Sequence, residues 1–302
     1  MTCMQSKPIY VEIPIDSEMD KLWDSTQRPE LHQQWDLRFS SITYLPKTDD
    51  DAQDFSYKTN LAFGLSIEGW GTTTGTHNST NGSRTSSLHF GTDQAYSIIK
   101  EGKGYWKYTP GETLTFLTQY DYQVNFGRIG QLFDRSMFRP LIGWATALSF
   151  DVLKRWLEKG ETPASQYLRF FSTFLLSFTF FFVWTYQGLL PKLIGRHPEE
   201  VAMTQALLPL PEDHATSAVI VIGIFEILFG LLWLFYQKKR HLFGIQLILF
   251  PLLTISAFVA DPAVLIDPFN PLTFNISLLV LSIIGFLFSK DTPTSKSCKR
   301  KR

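Results

Sequence analysis

The sequence predicts an α+β soluble domain over residues 1–160 followed by an all-α bundle of four membrane-spanning helices. Three observations predict it. Four apolar runs, each near the about 20 residues that a hydrocarbon core of about 30 Å demands, are confined to the second half. The first half instead alternates apolar and polar residues with period two, then closes on one long segment with helical spacing. The charge also divides: residues 1–166 hold 16 Lys/Arg against 20 Asp/Glu, and residues 167–302 hold 12 against 8.

The zero net charge of the 302-residue chain is therefore a cancellation, and no broad basic surface points to nucleic acid. The two cysteines, Cys3 and Cys298, exclude a disulfide framework and a cysteine-rich zinc site, so no metal is expected. The N-terminal twenty residues lack an apolar core of signal-peptide length.

Taken in order, residues 9–15 alternate as a strand with one buried face. Asp16 or Ser17 can cap a short helix through Leu22 and Trp23, and Ser17 with Asp20 has capping-box spacing. Pro29 opens a second short helical turn over 29–35, and 39–46 returns to strand. Residues 49–54 read as an acidic loop, 55–67 as one long period-two strand, and 71–87 as turn-forming residues with a hairpin dipeptide at Asn81-Gly82. Strands follow at 86–91, 95–100, 104–109 and 113–124, the last with Leu114, Phe116, Thr118, Tyr120, Tyr122 and Val124 on one face. A helix over 129–159, interrupted near Pro140, presents Leu141, Trp144 or Ala145, Leu148, Val152 and Trp156 at helical intervals. A curved sheet wrapped on that helix buries the apolar stripe of each.

Residues 161–166 form a linker, and 167–290 hold spans at about 167–190, 217–236, 242–260 and 272–289. Positive charge sets the orientation. Residues 237–241 (QKKRH) and the tail 291–302, ending CKRKR, are basic, whereas 261–271 hold Asp261 and Asp267 and no basic residue. Counting positive-inside gives a multi-pass cell-membrane protein with both termini in the cytoplasm. Residues 299–302 read as an anchor on anionic lipid.

Glu226 stands out in the second span. A carboxylate at that depth costs about 2.5–3.5 kcal/mol, so it faces the bundle interior, protonated or hydrogen-bonded to Gln187, Gln246 or Asn275. No Lys or Arg lies mid-membrane, so no ion pair is expected. The functional reading is a proton-handling or ligand-orienting group. Trp184, Tyr186 and Gln187 fall near the outer end of the first span, as interfacial aromatics or as a polar entrance with His197 and Glu200 of the outer loop. None of the six histidines lies in a span, which disfavours a bis-histidine haem. No dinucleotide or phosphate-binding glycine motif is present. In the head, Trp23, Trp35, Trp70, Tyr96, Trp106, Tyr120 and Tyr122 are candidates to line a cavity, and His32 and Arg38 to orient a polar ligand group. No nucleophile–base–acid set is evident.

The order of elements over residues 8–158, with Trp35 after the Pro29-Glu-Leu-His32 turn and a long final helix, resembles the START-like (SRPBCC) helix-grip superfamily. That resemblance implies a sheet and helix enclosing an apolar cavity for a hydrophobic small molecule. In the second half, Trp184-Thr-Tyr-Gln-Gly188, Pro191-Lys-Leu, His197-Pro-Glu-Glu200, Gly223-Ile-Phe-Glu226 with Gly230, and Pro268-Phe-Asn-Pro271 with Leu272-Thr-Phe-Asn275 resemble DoxX-like membrane proteins over 167–289. This second resemblance implies a link to membrane redox systems and quinone-related oxidation. Three readings follow. In the first, the head captures a hydrophobic small molecule and the bundle senses, accepts or passes it on. In the second, the bundle holds a quinone near Glu226 and the head docks a redox partner protein. In the third, the head is an enzyme tethered to the bilayer. No resident cofactor is expected, a quinone being the one the resemblance admits.

Overall fold

The computed structural model of the chain describes residues 7–47, 52–61 and 64–301. Cys3, Arg302 and residues 49–51 of the expected acidic loop lie outside them, and Gln53 and Asp54 of that loop belong to a strand. Two units form, one of residues up to Tyr167 together with Pro293 onward, the other Leu168–Thr292.

The first unit is built on an antiparallel sheet. Its strands are β1 (Ile9–Ile15), β2 (Ser41–Tyr44), β3 (Gln53–Asn60), β4 (Ser66–Asn78), β5 (Arg84–Gly91), β6 (Ile99–Thr109), β7 (Leu114–Val124) and β8 (Lys299–Lys301). They are ordered β2-β3-β4-β5-β6-β7-β1-β8. Helices α1 (Met19–Gln27) and α2 (Pro29–Trp35) link β1 to β2. After β7 come α3 (Gly127–Phe133), a π-helical turn at Asp134–Phe138, and α4 (Arg139–Lys159). This is the expected helix-grip arrangement, a curved sheet closed on a long helix. Leu114, Phe116, Thr118, Tyr120 and Tyr122 of β7 are buried on one face, as their alternation predicts.

Several elements differ from expectation. The long strand of 55–67 is two strands reversed at Gly64, whose φ of +75° glycine adopts freely, with Leu61 N–H donating to Leu65 O. Because a hairpin preserves the period-two pattern, the sequence hides the break. The glycine- and threonine-rich 71–87 is mostly strand, turning only around Asn81-Gly82. There the aromatic rings of Tyr57, Phe55 and Phe90 lie over the open faces of Gly69, Gly71 and Gly102, supplying the packing glycine lacks. The strand expected at 95–100 begins only at Ile99, because 95–98 is a turn closed by Ser97 N–H on Gln94 O (3.1 Å), and it runs unbroken through 104–109 as β6. Helix α1 starts at Met19 with Glu18 as N-cap and no side-chain cap, so neither Asp16 nor Ser17 caps it. The helix over 129–159 is not interrupted near Pro140 but widens into the π turn just before it, because proline cannot donate to a carbonyl four residues back.

Helix α4 is covered on both sides. One side packs Ala147, Phe150, Leu153 and Leu157 into the sheet's core, whereas Leu141 is exposed. Along the helix, Cys298 Sγ donates to Ala147 O (3.2 Å) and Thr294 N–H to Asp151 Oδ2 (2.9 Å). The C-terminal residues thus pack on the head, and β8 pairs antiparallel with β1 through Tyr10–Lys301, Val11–Arg300 and Glu12–Lys299. The tail read from sequence as a lipid anchor is an edge strand. Nor is 161–166 a linker throughout, since α5 (Pro163–Gln187) begins within it and Gln166 Nε2 donates to Val152 O (3.1 Å).

In the second unit α5 continues through a π-helical segment, Gly188–Ile194, and is followed by α6 (Pro198–Leu207), α7 (Glu212–Phe235), α8 (Lys239–Ala260) and α9 (Pro271–Phe288). Among the described residues four stretches are long and apolar enough to cross a bilayer: Pro163–Ile194, Glu212–Phe235, Lys239–Ala260 and Pro271–Phe288. Small residues let them approach. A Cβ on Gly188 or Gly223 would collide with the facing helix, and Gly285 lies against the Phe243 ring.

Candidate functional site

In the head, Trp35, Trp106, Phe116 and Phe150 fill the space between sheet and α4. The Trp35 ring centroid lies 6.2 Å from Trp106, 6.5 Å from Phe116 and 6.1 Å from Phe150, and Phe116 stacks on Phe150 at 4.4 Å. Trp35 Nε1 donates to Ser25 O (2.8 Å), so this buried indole is satisfied. Trp23 packs against the same core with its ring 5.0 Å from Tyr108. Trp70 is partly exposed on the sheet, edge-on to His89, and Tyr96 is exposed, so neither belongs to that interior.

Arg38 belongs to a compact ionic group. Its Nε and Nη2 donate to Asp36 Oδ1 (2.9 Å) and Oδ2 (2.6 Å), and His32 Nε2 donates to Oδ2 at 3.0 Å. The Arg38 guanidinium also lies 5.4 Å from the Tyr120 ring centroid, and Tyr120 Oη is 2.9 Å from Thr146 Oγ1. Burial works to raise the Asp36 carboxyl, but Arg38 and His32 more than reverse it and hold the acid well below the usual carboxylate range. Burial, only partly offset by Asp36, holds His32 below the ordinary histidine value. Acid, base and cation are thus engaged with one another, and a tethered-enzyme reading gains no support from them. Tyr122 sits in a second group: its hydroxyl donates to Asp134 Oδ1 (2.6 Å), and Arg139 Nε donates to Asp134 Oδ2 (2.9 Å). Sequence reasoning named neither acid, although Asp36 two residues before Arg38 was a readable signal.

The bundle supplies the more distinctive chemistry. Glu226 Oε2 on α7 lies 3.2 Å from Lys192 Nζ, an ion-pair distance without hydrogen-bond alignment. Lys192 also donates to Glu200 Oε1 on α6 at 3.2 Å. The sequence points to Gln187, Gln246 or Asn275 as partners of Glu226 and to no ion pair; its partner is instead Lys192. The first membrane helix runs past Pro191 as a π segment, carrying Lys192 alongside α7 where Gly188 and Gly223 allow close approach. Of the other outer-loop candidate, His197 is half exposed and lies 3.9 Å from Glu199.

Gln246 is fully buried on α8, with Oε1 accepting from Ser282 Oγ (3.2 Å), and Asn275 is buried on α9; Gln187 is half-buried. Trp184 turns into the bundle: only 5% exposed, it stacks on Phe250 at 5.6 Å, and Phe250 adjoins Phe180, which stacks on Trp233 at 5.1 Å. Within this aromatic cluster Trp184 Nε1 and Trp233 Nε1 have no acceptor among the described residues, and neither has Gln246 Nε2, on the helix that carries Phe243 and Phe250. All three are hydrogen-bond donors. Trp233 was not singled out from sequence, since a tryptophan near a span's end reads by default as an interfacial anchor.

Residues 181–283 match the DoxX-like family. The chain is 36% identical over 303 residues to the uncharacterized membrane protein YndG of Bacillus subtilis (strain 168), covering 99% of both. Among solved structures it is similar to TTHA0849 from Thermus thermophilus, at 11% identity and a TM-score of 0.38 over 51% of this chain and 99% of that one. It is also similar to the hypothetical protein jhp0584 from Helicobacter pylori, at 12% identity and a TM-score of 0.40 over 52% and 99%.

Proposed function

Because this chain belongs to the family of the membrane protein YndG and carries a DoxX-like membrane domain joined to a helix-grip head, we propose that it handles a hydrophobic small molecule bearing acceptor oxygens, which the head captures and the bundle accepts. One observation carries this reading: the N–H groups of Trp184, Trp233 and Gln246 are buried in the bundle without acceptors among the described residues. A buried donor left unpaired costs about 1–3 kcal/mol, so three together favour a ligand that brings oxygens. In the head, the same molecule meets the aromatic interior around Trp35, Trp106 and Tyr120, with Arg38 beside it. Since those rings touch one another, capture there requires the grip to loosen.

Small molecules extracted from the purified chain and read by mass spectrometry test this. An apolar, oxygen-bearing compound should co-purify with the unaltered chain and fall severalfold in a Trp233→Phe, Gln246→Leu double variant that keeps its melting temperature. Equal recovery from both proteins overturns the reading.

The donor-only character of the cluster also favours a second reading, the membrane component of a quinone-linked redox system whose head docks a redox partner protein. The carbonyl oxygens of a quinone are acceptors that Trp184, Trp233 and Gln246 would hold. A bound quinone would supply two-electron, two-proton chemistry. A short-chain quinone that raises the melting temperature of the unaltered chain, and not of the double variant, selects this reading.

For location, the cell membrane with head and tail in the cytoplasm is supported by the basic residues at 237–241 and the acidic ones at 261–271. The pairing of β8 with β1 supports head and tail sharing one side.

A further inference from the structure

The segment that joins β7 to α4 is helical yet turns its apolar side chains outward. Phe126, Ile129, Phe133, Met137 and Leu141 are 53%, 81%, 41%, 58% and 51% exposed. Their spacing of three or four residues lines them along one face of the continuous helical run of α3, the π turn and α4. Leu132 beside them is 71% exposed. Phe126 holds a left-handed backbone, φ +66°, which a bulky residue rarely adopts. It is fixed there by its neighbour: Asn125 N–H donates to Ile98 O (2.9 Å) and Nδ2 to Ser97 O (2.8 Å). Exposed Leu65 and Tyr96 lie at the same end of the sheet, where Tyr96 Oη donates to Ser66 O (2.8 Å).

The charges along this stripe are one-sided. Arg128 and Arg135 are exposed. Asp134, the acid between them, is buried and held by Arg139 and Tyr122. An exposed apolar helical face flanked by arginines is the composition of an interfacial membrane helix. The head is joined directly to a membrane segment, since only residues 160–162 separate α4 from the helix that begins the first span. We infer that the apolar end of the head, led by α3, docks into the headgroup–acyl boundary of an anionic bilayer. The head is then a peripheral membrane module in its own right, anchored at a second place besides its covalent tether.

The test uses the whole chain reconstituted in phosphatidylcholine vesicles with and without phosphatidylglycerol. A fluorophore is placed at Ile129→Cys in a Cys3→Ser background and, separately, at Asn81→Cys in the β4–β5 hairpin at the opposite end of the sheet. Lipids with a nitroxide on the upper acyl chain should quench the first label severalfold more than the second. Phosphatidylglycerol should increase that difference, and Arg128→Gln with Arg135→Gln should remove most of the increase. Both labels equally open to aqueous iodide and untouched by the lipid nitroxide would sink the inference. So would self-quenching of the Ile129 label that grows with protein density, which would mean that a second copy covers the face.

Discussion

Lys192 Nζ sits 3.2 Å from Glu226 Oε2 and 3.2 Å from Glu200 Oε1, so one buried cation serves carboxylates from two helices. Taking the cation away leaves Glu226 unpaired in an apolar bundle, which costs far more than the pair contributes. Lys192→Met should therefore lower stability by about 3 kcal/mol, read as a fall in melting temperature in detergent. Lys192→Met with Glu226→Leu should recover most of the loss. A single variant that melts like the unaltered chain would remove the pair's structural role.

The seam beside this pair depends on bare backbone. A methyl at Gly188 or Gly223 meets the facing helix, whereas at Gly244 the nearest neighbour is the Phe286 ring at 3.6 Å. Gly223→Ala should cost about 1–3 kcal/mol through overpacking and Gly244→Ala almost nothing, measured by thermal unfolding of the purified variants.

Acid should weaken the head in two steps. His32 is held below the ordinary histidine value, so the unfolded chain takes up its proton first. Stability should therefore fall as pH drops below about 6.5 and level off once the folded form also protonates. Asp36 is held low as well; its contribution is full above about pH 4 and is lost as pH falls toward its folded value. His32→Gln should flatten the first step and leave the second, in melting temperature plotted against pH.

Cys298 should be inert while the tail is in place. Burial pushes its thiol up to about 12, and its Sγ is turned onto Ala147 O. At pH 8 that leaves about one thiolate in ten thousand. Maleimide labelling followed by peptide mass mapping should find it protected in the native chain and reactive in denaturant. Fast native labelling would mean that the tail leaves the head.

How much of this was legible in the sequence depends on how local the cause is. The membrane helices follow from composition and the buried face of β7 from alternation, because each is set by neighbours in the chain. Gly64 hid a strand reversal because the period-two pattern continues across a hairpin. The Lys192–Glu226 pair was missed because its cause lies in tertiary packing: a π segment past Pro191 and glycines on two helices bring together residues 34 positions apart. Trp184 reads as an interfacial aromatic or part of a polar entrance, and Trp233 does not stand out at all, because no linear pattern marks a ring that packs inward. The tail was misjudged for a related reason, since its lysines and arginines advertise lipid while its backbone pairs with a strand almost 300 residues earlier.

Strand β8 also links the closing of the head's sheet to the helices that precede it in the chain. The segment that completes the edge of the sheet is translated only after all four hydrophobic helices, and it can reach β1 only after an even number of crossings. A polypeptide that skips one helix, or threads one too many, delivers those residues to the wrong compartment. Its head then keeps an uncovered sheet edge and a bare groove along α4, the kind of surface quality-control proteases and chaperones act on. Closure of the head's sheet therefore depends on the membrane helices that precede β8 in the chain.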